Sequence, residues 1–210
     1  MKQNIIVVLF NISSEAYQAF SELKAYSQIT DALVAQAVLI KKENGLIIPA
    51  ESTDFTANTG EGTWTGGLIG SLVGILGGPI GVLLGGATGA LIGSDVGTAQ
   101  TLGEGALLEN AAKKLDNGST AIIILAQESD EAVLDAFFHR FKTVILRQDA
   151  PVAQEEVLAA IEAEKEVARQ AHEAWKKQRK AERKAERQGK VEAFKADIKQ
   201  KFDKLAAKLK

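Results

Sequence analysis

Apolar and polar positions divide the chain into short buried strands, amphipathic helices and one long uncharged stretch. Residues 4–10 form a short apolar run, six residues long after Asn4 and rich in β-branched side chains, of the length expected for a buried central strand. After Ser13 and Ser14, either of which can cap a helix, Ala16, Tyr17, Phe20, Leu23 and Ala25 recur at helical spacing up to about Ser27. Residues 32–41 predict a second strand. Asn44 and Gly45 both tolerate positive φ and predict a tight hairpin turn, from which residues 46–50 return as a third strand. Pro49 has no N–H to give a ladder, so it places that strand at an edge or near its end.

Beyond a polar connection at 51–59, the pattern changes character. Glycine recurs every fourth residue at Gly62, Gly66, Gly70, Gly74 and Gly78, and again, after Pro79, at Gly81, Gly85, Gly89, Gly93 and Gly97. No charge occurs from Thr63 to Ser94. Every fourth position advances about 400° around a helix, so the glycines form a slowly drifting ridge along each of two arms. Gly77, Gly78 and Pro79 break the helix and turn it back, which predicts a glycine-zipper helical hairpin. A bare ridge lets two helix backbones approach closely. Each interior glycine costs roughly 0.5–1 kcal/mol relative to alanine, so the ridge is expected to pack against something.

Downstream, Leu107, Leu108, Ala111, Ala112 and Leu115 make one helix face, closed by Asn117-Gly118. The run STAIIILA at 119–126 is the most strand-like in the chain. Residues 130–141 predict a helix with Val133, Leu134, Phe137, Phe138 and Phe141 inward, and residues 143–146 a last strand. Pro151 opens a further helix, where its missing N–H costs nothing. The order β-α-β-β-hairpin-α-β-α-β predicts an α+β fold: a ferredoxin-like sandwich, helices on one face of a mainly antiparallel sheet, split by the hairpin and followed by a long charged C-terminal helix. The expected divisions are 1–59 and 101–150 for the two half-domains, 60–100 for the hairpin and 151–210 for the tail. If strands from before and after the insertion share a sheet, the insertion must return to the side it left, and a single membrane crossing is then excluded.

The tail carries a sparse stripe of Val157, Ile161, Ala168, Ala171 and Trp175, too thin for a strong coiled coil. Residues 176–190 have no apolar stripe, and Glu182 and Glu186 stand among many Lys and Arg as local ion-pair partners. From 191 the tail becomes amphipathic: Val191, Phe194, Ile198, Phe202, Leu205 and Leu209 recur at three or four while lysines fill the other face. That composition suits a helix lying on an anionic membrane surface. A solubilising arm, or one folded onto the acidic body, is the plain alternative; nucleic acid is disfavoured because aromatics are few and acids dilute the basic run.

Composition sharpens this division. Of 19 glycines, 16 fall between Gly60 and Gly105, marking a special-purpose insertion. Residues 1–175 carry 11 Lys/Arg against 22 Asp/Glu, and residues 176–210 carry 14 against 5, so an acidic body precedes a basic tail. There is no cysteine, which excludes disulfides and thiolate chemistry and fits a reducing compartment. The opening MKQNIIVVLF reads as a first strand and not a signal peptide, and an intracellular start is expected. His139 and His172 have no partners at metal-ligand spacing, the GxG pairs at Gly60/Gly62 and Gly103/Gly105 lack the third glycine of a dinucleotide fingerprint, and no serine sits in a G-x-S-x-G context. No catalytic residue, metal, cofactor or small-molecule substrate is assigned.

What lies opposite the glycines sets the expected environment. The twelve large aliphatics between Leu68 and Ile92 represent roughly 20–35 kcal/mol of gross burial, too much apolar surface to leave in water. Lipid is the first expectation, burial between subunits the second and packing on the body the third. Trp64 would sit at the membrane interface, level with Asp95 across the hairpin. Each arm of about 16 residues reaches roughly 24 Å against a hydrocarbon core of roughly 30 Å, so a dip or a thinned bilayer is as compatible as a full span.

The STAIIILA strand, the DEAVLDAFFHRF helix and above all the uncharged run GGLIGSLVGILGGPIGVLLGGATGALIG between two half-domains resemble the bacterial domain-of-unknown-function 1269 family of predicted membrane proteins, over about residues 4–150. The resemblance implies fold and location and brings no catalytic residues. The resulting expectation is a non-enzymatic, membrane-associated protein that inserts its hairpin, self-associates through the glycine ridges and organises or protects the membrane. Its α+β body and tail would lie on the cytoplasmic side, against the anionic inner leaflet. The alternatives are a soluble structural homo-oligomer in the cytoplasm that buries the hairpins between subunits, and an oligomeric membrane pore.

Overall fold

The computed structural model describes residues 1–25, 31–55, 67–78, 81 and 106–208, with side chains of the C-terminal helix described as far as residue 195. Its elements run β1 (Lys2–Phe10), α1 (Ser13–Lys24), β2 (Ala32–Glu43), β3 (Leu46–Asp54), α2 (Leu68–Gly77), α3 (Leu107–Lys114), β4 (Thr120–Glu128), α4 (Ala132–Phe138), β5 (Thr143–Asp149) and α5 (Ala150–Lys208). Two compact units result, Met1–Glu164 and Lys165–Lys210, and α5 contributes to both.

The first unit is α+β, built on a five-stranded sheet in the order β3-β2-β4-β1-β5, with every neighbouring pair antiparallel. β4, from beyond the glycine-rich stretch, inserts between β1 and β2, from before it. β4 is therefore the central strand and β1 an interior one beside it, as their apolar runs require. Alternate residues of a strand point to opposite faces, so a strand apolar at every position needs cover on both. Ile6, Val8 and Phe10 meet α1 through Phe20 and Leu23, and α4 through Leu134 and Phe138. Ile5, Val7 and Leu9 meet α2, α3 and the first turns of α5 through Leu72, Leu108 and Val157. The expectation of helices on one face only is thus corrected: both faces are covered, because β1 and β4 leave no polar face to solvate.

Local chemistry accounts for the details. Asn44 and Gly45 take φ of 52° and 80°, the two positive values that a tight hairpin turn needs. Gly45 N–H donates to Asn117 Oδ1 at 2.8 Å, and Gly118 N–H to the Lys42 carbonyl at 2.7 Å, so this turn is tied to the one that leads into β4. β3 is an edge strand, and at Pro49 the pairing slips by one residue, leaving Ala50 without a ladder partner. α1 begins without the expected serine cap; Ser13 Oγ pairs instead with Thr120 Oγ1 at 2.7 Å, fastening the helix to β4. Pro151 stands in the first turn of α5, which continues through Gly189 as one helix of 59 residues.

One buried carboxylate holds this side of the unit together. Glu156 on α5, only 8% exposed, accepts the Leu108 N–H at 3.2 Å and thereby caps α3, whose own N-cap residue, Ala106, offers no side-chain acceptor. Burial pushes the Glu156 carboxyl above its ordinary pKa, opposed by the N–H groups of Leu108 and Leu107. Glu156→Ala is expected to cost about 0.5–2 kcal/mol by analogy with lost helix caps, while Glu156→Gln keeps one acceptor and most of that stability. Because the folded state holds this proton more tightly than the unfolded chain, the carboxyl contributes most below its ordinary value of 4.5 and its contribution falls as pH rises through the folded value. Denaturation midpoints of wild type minus Glu156→Gln should therefore fall with rising pH across that window; a flat difference would refute the assignment.

Candidate helix-packing site

α2 contains no charged residue and puts Ile69, Leu72, Val73, Ile75 and Leu76 into the core. The expectation that these aliphatics face lipid or other subunits is corrected for residues 68–77: they face the sheet of their own chain. The Ile5, Val7, Leu9 face is as apolar as α2, and closing one on the other removes both from water together. Ten residues rise about 15 Å, half the roughly 30 Å hydrocarbon core. Among the described residues no helix is long and apolar enough to cross a membrane.

With the aliphatics turned in, small residues remain outside. Gly70 is half-buried and Gly74 is exposed, and a Cβ built on Gly74 would meet nothing within 4 Å. The glycines at the end of α2 are different. A Cβ on Gly77 would stand 3.3 Å from Ile47 Cβ, and one on Gly78 would stand 3.0 Å from the Gly74 carbonyl oxygen and 3.3 Å from Glu164 Oε1. At Gly81 it would overlap the Leu76 carbonyl and lie 2.7 Å from the Ile75 carbonyl oxygen. Gly77, Gly78 and Gly81 therefore permit a close approach around the helix end, while Gly74 leaves an open surface. Gly62, Gly66, Gly85, Gly89, Gly93, Gly97, Pro79, Trp64 and Asp95 lie outside the described residues.

A second concentration of polar groups, not anticipated from sequence, sits at the edge of the other layer. Arg147 of β5 reaches Glu128 of β4 with both arms of its fork, Nε to Oε2 at 3.1 Å and Nη2 to Oε1 at 3.2 Å. It also donates to Asp135 Oδ1 at 2.6 Å and Glu131 Oε2 at 3.5 Å, both carried by the α4 region. Asn4 Nδ2 donates to Glu128 Oε2 at 2.7 Å, while Asn4 Oδ1 is buried without a partner. Burial alone would lower the Arg147 pKa, but the Asp135 hydrogen bond and the charges of Glu128 and Asp135 outweigh it and hold the guanidinium above its ordinary value. The sequence carried little signal for this cluster: Asn4 opens a predicted strand, but Glu128 and Arg147 fall just beyond the predicted ends of theirs, and the structure extends β4 and β5 to include them. Their arrangement locks α4 onto the sheet. Elsewhere, a cleft of about 620 Å³ opens beside Phe10, Asn11, Lys114, Asp116, Asn117 and Val144. Among the described residues no group of three or more His, Asp or Glu side chains is placed to hold a metal ion.

The second unit is the remainder of α5. Every residue from 168 to 195 is exposed. Arg179 stacks its guanidinium over Trp175 at 4.8 Å, and His172 lies against the same ring at 6.2 Å. Lys190 pairs with Glu186 at 2.7 Å and Arg169 with Glu166 at 2.9 Å, each one helical turn apart. Val191 and Phe194 are exposed. Ile198, Phe202 and Leu205 occupy helical positions whose side chains lie outside the described residues, as does Leu209 altogether.

A family model described as a protein of unknown function (DUF1269) matches residues 63–162. The resemblance thus covers the glycine-rich stretch, α2, α3, β4, α4, β5 and the opening turns of α5. β1, α1, β2 and β3, within the resemblance expected over about 4–150, lie outside the match, and residues 151–162, beyond that expectation, lie inside. No curated protein and no solved structure matches the chain.

Proposed function

We propose that this protein is a non-enzymatic, membrane-associated scaffold whose copies assemble by packing helices on the glycine ridge of α2. The observation that carries the reading is the outward-facing Gly74, a helix backbone left bare beside a core that already holds the aliphatics of the same helix. An exposed glycine in a helix interior lowers helix stability without any gain from burial, and a closely docked helix offsets that loss. The uncharged positions 82–94 of the same stretch supply the apolar side chains for contact with lipid. The sheet is read as a ferredoxin-like core with β3 added at one edge; the β2-β4-β1-β5 antiparallel order, with α1 and α4 on one face, supports this. In this reading the body and tail lie on the cytoplasmic side of the cell membrane.

Gly74→Leu is expected to disrupt assembly and to shift the unfolding of the α+β unit by less than about 1 kcal/mol, since leucine is a good helix former and nothing stands in its way. Light scattering after size exclusion, with hydrogen exchange on β1 and β4, reads both quantities. An unchanged oligomer in both Gly70→Leu and Gly74→Leu would remove the ridge as the contact surface. The burial of α2 on its own sheet also favours a second reading, a detergent-independent structural homo-oligomer in the cytoplasm. Fractionation separates the two: wild-type protein recovered from the soluble fraction as uniform assemblies, with or without detergent, supports the second.

A further inference from the structure

The continuity of α5 joins two sequence patterns onto one face. At about 100° per residue, all eight Lys and Arg between 176 and 190 fall within an arc of about 160°, leaving Gln178, Ala181 and Ala185 on the opposite side. The helix is unbroken through Gly189, so its register carries past this arc. Val191 and Phe194, 51% and 65% exposed, then fall within the same arc. The helical positions of Ile198, Phe202 and Leu205 follow on it. The face thus passes from eight cations to Val191 and Phe194 along a single side of one helix, and the positions of Ile198, Phe202 and Leu205 extend it to roughly 44 Å.

We propose that this face is a docking surface for an anionic phospholipid bilayer, with the cations of 176–190 on lipid phosphates and the apolar line beginning at Val191 and Phe194 inserted among the acyl chains. The inference rests on the membrane reading above and names the lipid chemistry that the tail selects. A planar anionic surface can meet one helix face along this length, and a bilayer offers phosphate charge and apolar depth on the same side. A nucleic-acid backbone would engage the cations but leave Phe194 and Val191 without a partner. A second copy of the acidic body would give the same charge attraction without needing the apolar line.

The test is flotation of the full-length chain with phosphatidylcholine vesicles and with vesicles in which roughly a third of the lipid is phosphatidylglycerol. Binding is expected to rise with phosphatidylglycerol and fall in high salt. Lys180→Gln/Arg183→Gln/Arg187→Gln should weaken the phosphatidylglycerol-dependent part about 100-fold. Adding Gln178→Lys/Ala181→Lys/Ala185→Lys restores net charge on the opposite side and should not restore binding, with circular dichroism confirming that the helix is retained. Phe194→Gln should weaken vesicle binding while leaving binding to a DNA duplex unchanged. Restoration by the opposite-side lysines, indifference to Phe194→Gln, or a duplex that displaces the chain fully from vesicles would each overturn the proposal. Absence of any phosphatidylglycerol dependence would do the same. Failure to bind pure phosphatidylcholine counts instead against lipid contact by the glycine-rich stretch, because that contact does not depend on headgroup charge.

Discussion

Leu72→Ala is expected to destabilise the α+β unit by about 2–5 kcal/mol, the range for deleting a fully buried leucine side chain. Leu72 is 0% exposed and belongs to the cluster formed by Ile5, Val7, Val38 and Leu108, so its removal leaves a cavity bounded by strands that cannot close over it. Gly74→Ala on the open side of the same helix serves as the control. It adds a methyl into empty space and removes a helix-destabilising glycine, so it should be neutral or stabilising by up to about 1 kcal/mol. Amide exchange at β1 and β4 is the appropriate readout, because the long α5 helix dominates total helical signal and does not report on the sheet. The pair discriminates between two environments for α2. A helix resting in lipid or held away from the body would lose little on Leu72→Ala in detergent-free buffer, and a change below about 0.5 kcal/mol would mean that α2 is not part of this core.

Much of the fold was legible because strand and helix periods are local. The runs at β1 and β4, the Asn44-Gly45 turn, the face of α3 and the opening of α5 at Pro151 each follow from neighbours within a few residues. Legibility ended where a residue's partner is remote in sequence. Leu72 looks the same to a reader of the sequence whether lipid, another subunit or Val7 lies opposite, since all three are apolar. The apolar run of β1 did contain part of the missing constraint: a strand buried on both faces needs two layers of helices, and α1 and α4 supply only one. Counting faces calls for a second layer, though it does not choose among α2, α3 and α5, all of which contribute to it. Ser13 shows the same limit on a smaller scale, for it has the chemistry of a cap but finds a better-placed hydroxyl at Thr120. Of the packing site, the glycine positions were readable and their orientation was not, because a ridge becomes inward or outward only once its aliphatic side has chosen a partner.

Arg147→Met is expected to have an effect as large as the core deletion, about 3–5 kcal/mol, for an electrostatic reason. The Glu128 side chain is 1% exposed and that of Arg147 only 14%, so the guanidinium is the main compensation for a carboxylate that water does not reach. Methionine preserves much of the apolar stem of Arg147 and removes its charge, which isolates the ionic contribution from packing. Glu128→Gln added to Arg147→Met should recover a substantial part of the loss, because it removes the stranded charge yet keeps a carbonyl oxygen for Asn4 Nδ2. Arg147→Lys should fall between wild type and Arg147→Met, since an ammonium cannot hold both Glu128 oxygens and Asp135 with a rigid fork. The double-mutant cycle gives the coupling, and exchange at α4 locates it: the helix carrying Asp135 should loosen before the centre of the sheet. Strictly additive losses in the cycle would show that Glu128 and Arg147 act as independent buried groups and not as one lock between β4, β5 and α4.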